Sequence, residues 1–172
     1  MSDATKVRLG LLNINFNGVD LGLTKGGAEV MFEPEYEDIT VDQFGKSPID
    51  KVLVAEKFSV KVPLAEQTLA NMKIAMPTGT LTTSDGKTKL TLGRDAGYKL
   101  STNAARLILH PRANATDDLS EDIVMWKAVA IKETKLDYKI DGQTVIEVEL
   151  MALVDTGRAN GQYLGLIGDS TI

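Results

Sequence analysis

The sequence predicts a mainly β domain: two packed antiparallel sheets, sandwich or barrel-like, with one flanking α-helix. Three observations predict it. Apolar and polar residues alternate with period two over most of the 172 residues. Turn dipeptides punctuate the alternating runs, at Asn17-Gly18, Gly26-Gly27 and Asp85-Gly86. Only one stretch, Leu64 to Met76, carries apolar residues at helical spacing.

The elements follow in order. Val7 to Leu23 reads as one or two strands around Asn17-Gly18. From Glu29 to Tyr36 the even positions are apolar (Val30, Phe32, Pro34, Tyr36) and the odd ones mostly acidic. After Glu37-Asp38 the phase flips to Ile39 and Val41, which predicts a bulge at Glu37-Asp38. Pro34 lacks an N–H, so this strand belongs at an edge or a bulge. Gln43 to Asp50 reads as a loop because of Gly45 and Pro48. Val52 to Val62 is a strand, with Val52, Val54, Phe58, Val60 and Val62 on one face and Lys57, Ser59 and Lys61 on the other. In the helix, Leu69, Met72 and Met76 make an apolar stripe for a sheet, Glu66 suits the positive end of the dipole, and Pro77 stops it. Thr80 to Leu92 reads as a hairpin about Asp85-Gly86, Arg106 to His110 as a short strand, Pro111 to Asp122 as a polar loop, and Ile123 to Ile131 as a strand. Leu136, Tyr138 and Ile140 would pair with Ile146, Val148 and Leu150. Their shared parity predicts a three-residue loop, Ile140 to Gly142, setting Leu136 opposite Ile146 and Lys135 opposite Glu147. Tyr163 to Ile167 is a last strand or an arm that docks on a neighbour.

The length suits one domain over 1–172, with assembly arms expected at the N-terminus and after 155. Such a chain buries roughly 70% of its unfolded surface and needs no staples. There is no cysteine, so thiolate metal sites and Cys nucleophiles are excluded, and the single histidine excludes paired imidazoles. Met1 to Lys6 has no apolar signal region, and no run is long enough to span a membrane, so a cytoplasmic start is expected.

The charge is unevenly placed. The net charge is −5. Residues 28–42 hold Glu29, Glu33, Glu35, Glu37, Asp38 and Asp42 and no base. Without these six, the other acids and the 19 bases nearly cancel. Such a segment repels phosphate and is a poor grip for nucleic acid. It is either a solvated strand face or a surface that keeps nucleic acid at a distance.

Catalytic patterns are absent: there is no P-loop, no dinucleotide fingerprint and no nucleophile elbow. His110 has no Ser or carboxylate beside it in sequence and reads as structural. Asp117, Asp118, Glu121 and Asp122 lack EF-hand spacing and read as a solvated acidic loop. Asn114-Ala115-Thr116 fits the glycosylation pattern by chance. Glu33, Glu35 and Glu37 have no aromatic sugar platform beside them. No catalytic residue, cofactor or metal is expected.

Residues 23–72 carry a resemblance. Gly26-Gly27 open a strand that contains Pro34; then come Val41-Asp42-Gln43, Gly45 and Pro48-Ile49-Asp50; a strand then leads into Leu64-Ala65-Glu66-Gln67-Thr68-Leu69. In order and spacing this stretch resembles the major tail tube proteins of tailed bacteriophages. The resemblance implies hexameric rings whose inner sheets join into one barrel, stacked into a hollow tube. It implies as partners further copies of the chain, a tape measure protein, a tail terminator and baseplate or tail-tip proteins. DNA would pass through the lumen without specific binding, and no membrane would be involved. The expected location is the virion tail, assembled in the host bacterial cytoplasm. Contractile injection and type VI secretion tubes share the fold.

On that reading Glu29, Glu33, Glu35, Glu37, Asp38 and Asp42 are the candidate lumen-lining residues, since cationic ones would hold DNA. The alternatives are that the acidic strand faces outward, or pairs with Lys57 and Lys61 of a neighbouring subunit. Phe44, Gly45, Lys46, Pro48 and Ile49 are the candidates for ring-to-ring contact, with Phe44 as apolar anchor. Competing readings are another virion β-sandwich (a decoration or terminator protein), a ligand- or glycan-binding β-domain, and an enzyme.

Overall fold

The computed structural model describes residues 10–136 and 144–171. The elements are β1 (Leu12–Phe16), β2 (Val19–Asp20), β3 (Glu29–Thr40), β4 (Pro48–Leu64), α1 (Leu69–Ala75), β5 (Thr80–Ser84), β6 (Lys87–Thr91), β7 (Ala105–Pro111), β8 (Ile123–Ala130), β9 (Ile146–Ala152) and β10 (Gly165–Ile167). Among the described residues the fold is mainly β, with two antiparallel sheets and a single α-helix. The sheets are unequal. Seven strands of the eight-stranded sheet follow the order β2-β1-β7-β8-β9-β4-β3, and β5-β6 form the other sheet. β10 joins the large sheet by pairing with the first half of β8, while β9 pairs with its second half.

Local chemistry explains the turns. Asn17-Gly18 and Asp85-Gly86 both take positive φ (54° and 81°, 51° and 71°), the two-residue turn whose twist matches a hairpin. They close β1 onto β2 and β5 onto β6.

One face of the large sheet makes the core. Val60, Val62 and Leu64 of β4 stand opposite Leu150, Val148 and Ile146 of β9. Leu150 stands opposite Ala130, and Leu107, Leu109, Met125 and Ile14 continue the apolar surface. Ala75, Met72 and Ile74 of α1 pack on this cluster; of the stripe read from the sequence Met72 packs there, while Leu69 is exposed. The opposite face carries a charged row: Glu29 opposite Lys61, Lys61 opposite Glu149, and Lys132 paired to Glu149.

Several sequence expectations need correction. The helix spans Leu69–Ala75 and is shorter at its start than the helix read from Leu64. Leu64 is the last residue of β4, held opposite Ile146. Thr68 is the N-cap, accepting the Asn71 N–H at 3.1 Å. Glu66 therefore lies outside the helix, and its carboxylate accepts the Leu23 N–H at 2.9 Å. It lies against Gly22, where φ is +78° and an added Cβ would come within 2.4 Å of that carboxylate.

The loop at Gln43 to Asp50 ends earlier than its composition suggests. β4 already begins at Pro48, because a strand's first residue can do without an N–H. The Glu37-Asp38 bulge also moves. Register slips between Glu35 and Tyr36 and between Ile39 and Thr40, and each time β4 supplies the extra residue, Val54 and Ile49. Glu37 and Asp38 themselves pair regularly, with Val52 and Lys51. The slip at Val54 turns Val52 toward the face of Lys57, away from that of Phe58, Val60 and Val62.

The predicted pairing of Leu136 with Ile146, and of Lys135 with Glu147, does not occur. Residues 131–136 are outside strands, and β9 takes β4 and β8 as partners. The Ile140 to Gly142 loop lies outside the described residues. Tyr163 to Ile167 supplies β10, a last strand on the chain's own β8.

Candidate functional site

β3 and β4 make a long hairpin, and its outer half is the most unusual surface of the molecule. β4 pairs with β9 only over Ser59–Leu64, so Pro48–Phe58 has β3 as its strand partner. From Glu35 to Val54 no side chain is buried. Yet this ribbon exposes Tyr36, Ile39, Phe44, Ile49, Val52, Leu53 and Val54, with Phe44 65% exposed at the tip. A lone two-stranded ribbon is marginally stable in water, and apolar side chains on both faces make it worse. β3 is also the border strand of the large sheet, and its outer edge has no strand partner among the described residues.

The structure separates the six acidic candidates. Glu29, Glu33, Glu35 and Glu37 share one face of β3 by strand alternation, the side away from the core. Asp38 points to the other face and pairs with Lys51, while Asp42 opens the 3₁₀ turn at the tip (Asp42–Phe44). Lys57 and Lys61, two of the candidates for contact between subunits, pair within the chain, with Glu35 and Glu29. The Glu35 hydrogen bond and charge, with a smaller contribution from Glu33, raise the Lys57 pKa. These pairs are exposed and add little stability. Among the described residues Glu33, Glu37 and Asp42 make no ion pair, so the strand keeps a net negative outer face.

The contact candidates split in the same way. Phe44, Gly45 and Lys46 form the tip, with Gly45 at φ 61° closing the 3₁₀ turn. Pro48 starts β4 and Ile49 is a bulge residue beside it.

Sequence reasoning missed three clusters. The Arg158 guanidinium lies 3.7 Å from the Trp126 ring centroid and that of Arg106 lies at 5.4 Å. Trp126 Nε1–H donates to the Gln162 carbonyl at 2.9 Å, and Lys127 Nζ donates to Asp155 at 2.7 Å. The Lys127 bond, followed by the Gly157 N–H, lowers the Asp155 pKa. Together these contacts fasten the segment after 155 to β8. No spacing rule reveals them, since the partners lie tens of residues apart.

His110 is the second miss. Its Nδ1 lies 2.7 Å from Asp122 Oδ1, a carboxylate absent from its sequence neighbourhood, and Asp122 is 3% exposed. Its Nε2 is buried with no hydrogen-bond partner among the described residues, which fits Nδ1–H donating to Asp122. The pair ties the end of β7 to the start of β8. Asp122→Ala is expected to destabilise the fold by about 1–3 kcal/mol in urea unfolding, with Asp122→Asn milder because its amide oxygen still accepts.

The third is Gly165. An added Cβ would lie 2.1 Å from the Val124 carbonyl oxygen and 3.0 Å from the Phe58 ring, so β10 can lie this close to β8 only without a side chain there.

Among the described residues no group of three or more metal-ligating side chains gathers, and no helix is long and apolar enough to cross a membrane. In comparisons with known proteins, the chain matches no family model and no curated protein.

Proposed function

We propose that this chain is a self-assembling structural subunit, and specifically a tail tube subunit. Hexameric rings would stack into a hollow conduit for DNA in a bacteriophage tail. One observation carries the reading: the ribbon from Glu35 to Val54, two paired strands joined by a short turn, is rich in apolar residues and has no buried side chain. Such a ribbon gains its buried surface from other copies. The bare edge of β3 and the short β1-β2 border lie at opposite margins of one sheet, so copies arranged in a ring can continue that sheet from chain to chain. α1 covers the core face, which leaves the face of Glu29, Glu33, Glu35 and Glu37 for the lumen. A net negative wall repels phosphate and lets DNA slide.

Negative-stain microscopy of purified protein tests this. Rings or long tubes are expected, and a strictly monomeric protein at high concentration overturns the reading. Closed oligomers that never lengthen favour a decoration or terminator protein instead. For the lumen, the double variant Glu33→Lys, Glu35→Lys is expected to assemble normally and to impair DNA delivery. Failure of assembly, with normal delivery through the tubes that do form, would make these residues interface.

A further inference from the structure

The sheet has two distinct ends, and each carries one half of a contact. Neighbouring strands are antiparallel throughout. The turn between β3 and β4 therefore lies at one end. The end of β1, the start of β7, the end of β8 and the helix that follows β4 lie at the other. At this second end is an open pocket of about 510 Å³. Phe16, Val19, Ile74, Pro77, Leu81 and Ala105 supply most of its apolar wall, and Ala70 of α1 lies at its margin. At the first end stands Phe44, 65% exposed, on a turn with no buried residue.

We infer that the pocket beside α1 is the receptor for the Phe44 tip of a second copy, making a head-to-tail contact along the strand direction. This deepens the assembly reading above and rests on it. An aromatic side chain with a large apolar area is the usual anchor of such a contact, and an apolar pocket with few polar groups is its usual receiver.

Charge selects the occupant. Lys73 lines the pocket, with its Nζ donating to the Pro77 carbonyl at 2.7 Å, and no acidic side chain is among the lining residues. Burial, and then the charge of nearby Arg94, lower the Lys73 pKa. The tip brings Asp42 two residues before Phe44, and Asp50 follows six residues after it at the start of β4, neither in an ion pair among the described residues. Lys46 is the only base between them.

The geometry also fixes the mode of growth. Tip and pocket lie at opposite ends of the sheet, so a contact made end to end along the strands leaves one tip and one pocket free on every pair of copies. Each added copy presents a fresh tip or a fresh pocket, and such heterologous contacts extend without closing.

The chain has no cysteine, so introduced thiols report cleanly. Gln43→Cys, beside the tip, is combined with Ala70→Cys, at the pocket. The control pairs Gln43→Cys with Asp117→Cys, in the loop at the tip's own end of the sheet. After mild oxidation of assembled protein, the first pair is expected to give a covalent ladder on denaturing gels and the control none. Adding Phe44→Ala is expected to cut the ladder at least tenfold. Tubes seen by microscopy without a ladder from the first pair, or equal ladders from both pairs, overturn this contact and leave the assembly reading standing. No assembly from cysteine-free wild-type protein overturns both.

Discussion

Joining Glu35 to Ala55 through an Asn-Gly turn, with Tyr36 to Val54 removed, is expected to give a folded monomer that no longer assembles. Glu35 and Ala55 are directly opposite in the ladder, so a two-residue turn closes the shortened hairpin in its native register. The deleted stretch contains no buried side chain. Its removal therefore takes nothing from the core, and surface changes of this kind shift stability little. It does remove Tyr36, Ile39, Phe44, Ile49, Val52, Leu53 and Val54 from solvent-exposed positions. Size-exclusion chromatography with light scattering, circular dichroism and microscopy give the answer together. A melting temperature within a few degrees of wild type, with no rings or tubes, is the expected result. Persistent tubes would move assembly elsewhere, and an unfolded product would make the ribbon part of the folding unit.

Leu150→Ala is expected to have the largest effect on the fold itself. Leu150 is fully buried in the middle of β9, opposite Val60 on one side and Ala130 on the other. Its small neighbour Ala130, with Ala75 of α1 in the same cluster, offers no long side chain to refill the space. A buried Leu→Ala change of this kind costs about 2–5 kcal/mol. For a domain of this size each kcal/mol lowers the melting temperature by roughly 2–4 °C. Val54→Ala is the matched comparison. The sequence gives both residues the same alternating apolar signature, but Val54 is 55% exposed on the ribbon. Its loss is expected to leave monomer stability within about 0.5 kcal/mol of wild type. Thermal melts of the two variants side by side measure the difference. Equal losses would mean that the ribbon is packed in the monomer.

That comparison also marks how far the sequence could be read. Val52 and Val54 alternate in step with Phe58, Val60 and Val62, and periodicity assigns all five to one buried face. Alternation records a preference for a covered surface. It does not say whether the cover comes from the same chain. Val60 and Val62 pair with β9 and Phe58 lies against Gly165 of β10, while Val52 and Val54 lie beyond the end of β9. The bulge at Val54 was hidden for a related reason. The phase change in Glu37-Asp38 is visible, but the residue that slips belongs to the strand opposite.

The helix shows the same limit. Leu64 fits the helical stripe and also fits the β4 alternation, and its place opposite Ile146 decided for the strand. The pairing proposed for Leu136 rested on a sound parity rule, but Ile146 and Glu147 pair with Leu64 and Pro63 of β4, and residues 131–136 form no strand.

The amino-acid order by itself determined the class of the fold, the two tight Asn-Gly and Asp-Gly turns, the stop of the helix at Pro77 and the concentration of negative charge in one strand. These are short-range properties: backbone sterics, period-two alternation and local charge need only neighbours in the chain. The tertiary structure alone decided which apolar residues are core and which stay exposed. It also brought Asp122 to His110, Arg158 to Trp126, and Lys57 and Lys61 to the acidic strand. Those outcomes depend on strand register and on where each strand ends, set by contacts between residues far apart in the chain.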